Sequence, residues 1–111
     1  MKVPFNIPYM TGKEIEYMQE SLKSGNIVGD CAFTKKCQSL IEKMFDAKKV
    51  LLTASCTDAM EMASLLADLN RDDEVIVPSF TFVSTANAFV LRGAKPIFVD
   101  IRKDTLNMDE T

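Results

Sequence analysis

The amino-acid sequence predicts an α/β fold, and the prediction depends on the pattern of residues 49–101. Three apolar runs in this segment have the length and composition of buried strands, and two helix-like runs separate them. The turns between the runs are short, which favours parallel strands joined by right-handed crossovers. The predicted strands are KVLLTA (49–54), EVIVP (74–78) and KPIFVDI (95–101), and the predicted helices are 58–69 and 83–92.

The first ten residues are predicted to form an extended arm. Pro4 and Pro8 disfavour a helix there, because proline lacks an amide hydrogen and restricts the residue before it. A helix is expected next, since Thr11 and Glu14 form the S/T-x-x-E pattern of a capping box. Gly25 is placed to end this helix.

A loop and a second helix are predicted before the alternating segment. The sequence GNIVGD (25–30) has glycines on both sides of Ile-Val, which is typical of a loop. The helix is predicted from about Ala32 to Phe45, because apolar residues line one of its faces. The sequence DAKK (46–49) then forms the turn into the first predicted strand.

The two later helices are predicted to be mostly buried. In the helix over 58–69, Glu61, Ser64 and Asp68 lie at i, i+3 and i+7, so we expect them to form one narrow stripe in water. Gly93 is placed to end the helix that begins at Val83.

Composition excludes several classes of function. A net charge of −3 argues against nucleic-acid binding, which needs clustered lysine and arginine. The absence of histidine excludes Ser-His-Asp and Cys-His catalysis, and it makes a zinc site implausible. Cys31, Cys37 and Cys56 are odd in number and form no C-x-x-C motif, which favours free thiols in a reducing cytoplasm. Neither a signal peptide nor a membrane-spanning run is expected.

The 111 residues are expected to form a single incomplete domain. Residues 1–48 would hold the arm and two helices, and residues 49–111 would begin an α/β domain. Three parallel strands need cover on both faces, and the few predicted helices leave open edges. We therefore expect the chain to be the N-terminal piece of a larger protein.

The junction Ser-Cys-Thr-Asp at 55–58 allows two interpretations. It lies after a predicted strand and before a helix, where free N–H groups and the helix dipole favour an anion such as phosphate. Ser55, Thr57 and Asp58 are equally typical of a helix N-cap, and the charge of Asp58 opposes an anion. Neither G-x-G-x-x-G nor a Walker loop is present, so a bound phosphate would belong to a smaller cofactor.

Three ordered motifs carry a resemblance to a known family. They are TASCTDAMEMA, then DDEVIVPSFTFVSTANA, then GAKPIFVDI followed by TLNMD. In order and spacing they resemble the sugar aminotransferases of the DegT/DnrJ/EryC1 family, which are pyridoxal 5′-phosphate (PLP) enzymes of the aspartate-aminotransferase fold. The resemblance implies that residues 49–111 begin the large PLP-binding domain of fold type I.

The resemblance also implies roles for particular residues. The turn Cys56, Thr57 and Asp58 would hold the cofactor phosphate, Phe82 would stack on the pyridine ring, and Ser84 would line the same pocket. Without the family, Phe82 would be interpreted as a core residue and Cys56 as a small packing residue. The arm and the GNIVG loop would help to form a nucleotide-sugar pocket in a homodimer or higher homo-oligomer. Asp100, which ends a strand, is better interpreted as a turn or cap residue than as a catalytic one.

The implied reaction is amino transfer, with glutamate as the expected donor. The acceptor would be the 4-keto carbon of a dTDP-4-keto-6-deoxy sugar, which becomes the 4-amino-4,6-dideoxy sugar. The Schiff-base lysine and the Asp against the pyridine nitrogen come later in the family, and none of the ten lysines here falls at that position. We therefore expect no catalytic residue in this chain and no activity from it alone. A truncated, non-catalytic remnant is the alternative, and a small nucleotide-binding module is a weaker one.

Overall fold

The computed structural model describes residues 2–111 and divides the chain into two compact units. The first unit ends at Leu51, and the second comprises Leu52–Thr111. Met1, the first residue of the predicted arm, lies outside the described residues. The elements are, in chain order, α1 (Glu14–Lys23), α2 (Ala32–Phe45), α3 (Cys56–Leu66), β1 (Glu74–Pro78), α4 (Val83–Val90) and β2 (Lys95–Val99).

The first unit consists of the arm and two helices. Residues 2–10 contain no helix or strand, as the two prolines predict, and they are exposed. An aromatic contact joins α1 to α2, where the rings of Tyr17 and Phe33 meet edge to face with centroids 5.6 Å apart. The Lys36 ammonium lies 4.7 Å from the Phe33 ring centroid, which is cation–π distance.

The start of α1 is held by Glu14, but the predicted capping box is incomplete, because the N-cap residue is Lys13 and not Thr11. One Glu14 carboxylate oxygen accepts hydrogen bonds from the Thr11 amide at 2.6 Å and the Thr11 hydroxyl at 2.7 Å. These bonds, led by the one from the hydroxyl, lower the pKa of Glu14 from 4.5 to about 2. In a full box the threonine oxygen would accept an amide hydrogen bond, and here it donates instead. Gly25 follows the helix at φ +68°, so its predicted role in ending α1 is confirmed.

The second unit is built on one pair of parallel strands. Residues of β1 align with those of β2 from Glu74 opposite Lys95 to Pro78 opposite Val99. Helix α4 is the crossover between the two strands, and it packs against both of them and against α3. Val77, Ala88 and Ala94 are the buried apolar residues, so the core of this unit lies between α4 and the strand pair.

Gly93 ends α4 in a conformation that other residues avoid. Its φ is +92°, and its amide donates to the Val90 carbonyl at 2.8 Å. A Cβ atom placed on Gly93 would lie 2.8 Å from Cγ of Arg71. The backbone angle and the contact both favour glycine, as the sequence predicts.

The prediction of a strand at 49–54 is wrong for the described chain. The sheet has the two strands β1 and β2, and residues 49–54 form no ladder with either of them. An extended segment becomes a strand only when a neighbour accepts and donates its backbone hydrogen bonds. The apolar composition of this segment is that of a strand, but the described residues offer it no partner.

The predicted solvent stripe on α3 is also wrong. Ser64 is 1% exposed, and its hydroxyl donates to the Met60 carbonyl at 2.8 Å. Leu65 and Leu66 are 56% and 76% exposed. A small hydroxyl residue can pack where helices approach closely, because its hydroxyl can donate to a carbonyl of its own helix.

Candidate functional site

Helix α3 begins at a capped turn that matches the Ser-Cys-Thr-Asp junction. Ser55 has an extended backbone, and its side-chain oxygen accepts a hydrogen bond from the Asp58 amide at 3.1 Å. The Thr53 hydroxyl donates to the Ser55 carbonyl at 2.7 Å. Because Ser55 and not Asp58 is the cap, the helix starts at Cys56, two residues before its predicted start. The capping interpretation of this junction is therefore confirmed for Ser55.

Capping leaves other donors at this turn available. The amides of Cys56 and Thr57, the first two of α3, have no hydrogen-bond partner among the described residues. The Thr57 hydroxyl likewise has none there, and this residue is half-buried. Two free amides and one hydroxyl at a helix N-terminus are suited to an anion, since the helix dipole adds to their partial positive charge.

Asp58 is the feature of this turn that opposes an anion. It is exposed, and the structure gives its carboxylate no hydrogen bond to the turn, whereas its amide is occupied by Ser55. An exposed carboxylate can rotate into water, which screens its charge. Capping and anion binding are thus compatible here, because they use different groups of the same turn.

Phe82 lies between β1 and α4 with its ring in solvent. It occupies the N-cap position of α4 and is 75% exposed, and nearby Phe80 is 70% exposed. Phe80, Thr81 and Phe82 line an open, mostly apolar cavity of about 300 Å³. The core role that the strand-end pattern favours for Phe82 is therefore wrong for the described chain. Ser84, in the first turn of α4, is half-buried.

The topology places the start of α4 at the carboxyl edge of the strand pair. Helix α4 follows the carboxyl end of β1 after residues 79–82. Helix α3 leads into the amino end of β1 through residues 67–73 and packs against α4. Helix α4 therefore begins beyond the carboxyl end of β1, where open α/β sheets bind ligands, and α3 packs on α4.

A hydroxyl pair beside Phe82 was not singled out from the sequence. The side-chain oxygens of Thr81 and Thr85 lie 3.0 Å apart and share a hydrogen bond across the first turn of α4. The signal in the sequence was two threonines four residues apart on either side of the helix start. That spacing brings side chains together only once the helix start is known.

Other candidate residues have structural roles. The Asp100 carboxylate accepts a hydrogen bond from the next amide, that of Ile101, at 2.8 Å, which agrees with a strand-end cap. Lys95 lies at the amino end of β2 and pairs with Glu74 at 3.0 Å, at the edge opposite Phe82. Within residues 2–111, no cluster of candidate ligands could hold a metal ion, and no helix has the length and hydrophobicity to cross a membrane.

The sequence of residues 8–111 matches the DegT/DnrJ/EryC1/StrS aminotransferase family. The chain belongs to this family. The match covers both units and includes the α3 turn and Phe82, so the family resemblance seen in the three motifs is confirmed.

Individual relatives support the same assignment. GDP-perosamine synthase of Escherichia coli O157:H7 is 33% identical over 106 residues, which are 96% of this chain and 29% of that protein. A Streptococcus pneumoniae protein described as a sugar aminotransferase, Spr1654, superposes in its PLP form with a TM-score of 0.85 at 31% identity. That match covers 98% of this chain and 28% of the other. The chain thus spans less than a third of the length of these family members.

A third relative carries the same cofactor. The E. coli GDP-4-keto-6-deoxy-D-mannose-3-dehydratase, solved with bound hydrated PLP, superposes with a TM-score of 0.83 at 26% identity. The match covers 97% of this chain and 29% of the dehydratase. The predicted α/β class and its place at the start of the fold type I domain are confirmed by these structures, as is PLP as a cofactor of the family.

Proposed function

We propose that this chain supplies the cofactor-phosphate turn and the ring-stacking residue of a PLP-dependent sugar-nucleotide aminotransferase. One observation carries the proposal. Free donors at Cys56 and Thr57 begin one helix, the exposed Phe82 ring stands at the start of the next, and these two helices pack against each other.

The residues present fit a phosphorylated pyridine. The amides of Cys56 and Thr57 and the Thr57 hydroxyl would donate to phosphate oxygens, while Asp58 turns its carboxylate to solvent. The Phe82 ring would lie on one face of the pyridine and keep water from it. Ser84 would line the same pocket from the first turn of α4.

The remaining catalytic groups are proposed to lie beyond these motifs. When bound, PLP supplies an electron sink that allows a C–H bond to break at the amino-bearing carbon. The reaction also needs a lysine that bonds to the cofactor and moves the proton. Lys95 is held by Glu74 at the far edge of the strands, so it does not fit this role. We therefore expect this chain by itself to bind and orient the cofactor, and not to catalyse transamination.

Borohydride reduction in the presence of PLP tests the missing lysine. We expect weak labelling distributed over several lysines at high PLP concentration, because solvent-exposed amines react with the aldehyde without a specific site. Lys103 is the position to examine first in the peptide map, because it follows β2 at the carboxyl edge. Saturable labelling of one lysine at a 1:1 ratio would contradict the proposal, and Lys103→Arg would show whether that residue is responsible.

The proposed substrate is a dTDP-4-keto-6-deoxy sugar, with glutamate as amino donor. The product would be dTDP-4-amino-4,6-dideoxygalactose, a building block of the enterobacterial common antigen. The similarity of all three motifs to the sugar aminotransferases supports this choice of substrate class. The assay takes the complete polypeptide that carries this sequence and compares dTDP- and GDP-linked 4-keto-6-deoxy sugars by release of 2-oxoglutarate. Preference for the GDP sugar would contradict the proposed nucleotide.

The arm and the loop of the first unit are proposed to help bind the nucleotide sugar in a homo-oligomer. Residues 2–10 and 25–29 are exposed, and Ile27 and Val28 at the loop tip are 69% and 70% exposed. Such apolar residues are suited to covering a ligand or a second subunit. We place the protein in the cytoplasm, where its three free cysteines would stay reduced.

A non-catalytic product is the second candidate. The small buried core and the apolar segment 49–54, which has no strand partner, favour it. Urea unfolding followed by circular dichroism separates the two, because a chain that holds a cofactor turn must keep α3 and α4 folded. A cooperative transition that shifts to higher urea with pyridoxamine 5′-phosphate supports the first proposal. A broad transition unaffected by that ligand supports the second.

A further inference from the structure

We propose that the Thr81–Thr85 hydroxyl pair is a positioning device that holds the Phe82 ring in its stacking orientation. This inference rests on the proposed function, because it concerns the ring that would cover the cofactor. The two threonine oxygens lie 3.0 Å apart, one immediately before Phe82 and the other three residues after it.

The pair acts together with a backbone hydrogen bond. The Thr85 amide donates to the Phe82 carbonyl at 3.0 Å, which fixes the helix relative to the carbonyl side of Phe82 and so restrains its ψ of 144°. The hydroxyl bond ties the residue before Phe82 to the same helical turn, and so restrains its φ of −74°. With both backbone dihedrals restrained, the direction of the Cα–Cβ bond is set.

Side-chain packing does not provide this restraint in the described chain. Phe82 is 75% exposed, and it has no side-chain oxygen with which to cap α4. The Thr81 hydroxyl bonds the side chain of Thr85 in the first turn of α4 instead. A phenylalanine side chain has only two rotatable bonds, so a fixed backbone leaves little freedom to lose when a ligand stacks on it.

The experiment measures binding of pyridoxamine 5′-phosphate, which has the ring and the phosphate but no aldehyde to react with lysines. Thr85→Val keeps the branched shape and removes the hydroxyl. We expect affinity to fall about threefold to tenfold, the equivalent of one neutral hydrogen bond. Thr85→Ser should restore it. Binding of inorganic phosphate, followed by the amide shifts of α3, should stay unchanged because the phosphate turn does not involve Thr85.

A double-mutant cycle shows whether Thr85 acts through Phe82. In a Phe82→Ala background, Thr85→Val should have no further effect on pyridoxamine 5′-phosphate affinity. Thr34→Val is the matched control, since Thr34 is also the third residue of a helix, α2. If Thr85→Val weakens binding equally in both backgrounds, or weakens phosphate binding as much, the positioning role is wrong.

Ring resonances of labelled phenylalanine give a readout independent of affinity. The Phe82 signal, assigned by its loss in Phe82→Ala, should shift with saturating pyridoxamine 5′-phosphate in the wild type and in Thr85→Ser. In saturated Thr85→Val the shift should be smaller. An equal shift in all three would overturn the inference while leaving the proposed function intact. Failure of the wild type to bind either phosphate ligand would instead overturn both.

Discussion

Replacement of Ser55 by alanine tests how the start of α3 is built. The variant removes the oxygen that accepts the Asp58 amide at 3.1 Å and leaves that exposed amide to water. Loss of a serine N-cap costs about 1 kcal/mol. For a cooperative unit of the size of Leu52–Thr111, that loss lowers the melting temperature by about 4–8 °C.

Thermal unfolding followed by circular dichroism at 222 nm measures this change. Ser79→Ala is the matched control, because Ser79 is an exposed serine of the same unit whose hydroxyl makes no hydrogen bond in the described chain. Its effect should stay within about 0.5 kcal/mol. If Ser55→Ala melts at the same temperature as Ser79→Ala, the Ser55 cap does not stabilise α3 and our description of the turn is wrong.

Three further predictions concern other contacts. Thr57→Val should weaken pyridoxamine 5′-phosphate binding about tenfold to a hundredfold, because a hydrogen bond to a charged group is lost. The melting temperature should not change. Unchanged affinity in a fluorescence titration would contradict the Thr57 hydroxyl as a phosphate donor. Gly93→Ala should destabilise the chain by about 1–2 kcal/mol in urea unfolding, because alanine is strained at a φ of +92°. If this backbone strain dominates over the contact with Arg71, most of the loss should also be measured in an Arg71→Ala background. Glu14 has a lowered pKa, so its stabilising contacts are complete above pH 4.5 and are lost as the pH falls through about 2. A carboxyl titration by NMR should find a midpoint of about 2 in the wild type and a higher midpoint in Thr11→Val. Equal midpoints in the two proteins would contradict the role of Thr11.

Where local signals agreed, the sequence predicted the elements closely. The predicted bounds of EVIVP (74–78) match β1, and the helix from Ala32 to Phe45 matches α2. The β-branched residues of β1 favour a strand, and the apolar face of α2 favours a helix, so local preference and fold agree in both elements. The assignment of the Ser-Cys-Thr-Asp turn and of Phe82 to a cofactor site stays a prediction.

The predicted and observed structures differ where a contact distant in sequence, or a competing local conformation, determines the structure of the segment. Segment 49–54 has a strand composition, but a strand needs a neighbour that no local pattern can provide. Helix α3 ends at Leu66, before the predicted end at 69, because Asp68 adopts a left-handed φ of +54°. The exposure of Phe82 could not be predicted from alternation, since period-two patterns do not show whether a covering element is present.

The central claim is that the α3 turn recognises the phosphate of a pyridine cofactor. The most direct measurement is a parallel titration of the chain with pyridoxamine 5′-phosphate and with pyridoxamine, which differ only in the phosphate. We predict saturable 1:1 binding of the phosphorylated ligand and at least tenfold weaker binding of the other, since a charged hydrogen bond is worth about 1.5–3 kcal/mol. Equal affinity for the two ligands, or no binding of either, would contradict the assignment of Cys56 and Thr57 as the phosphate-binding residues.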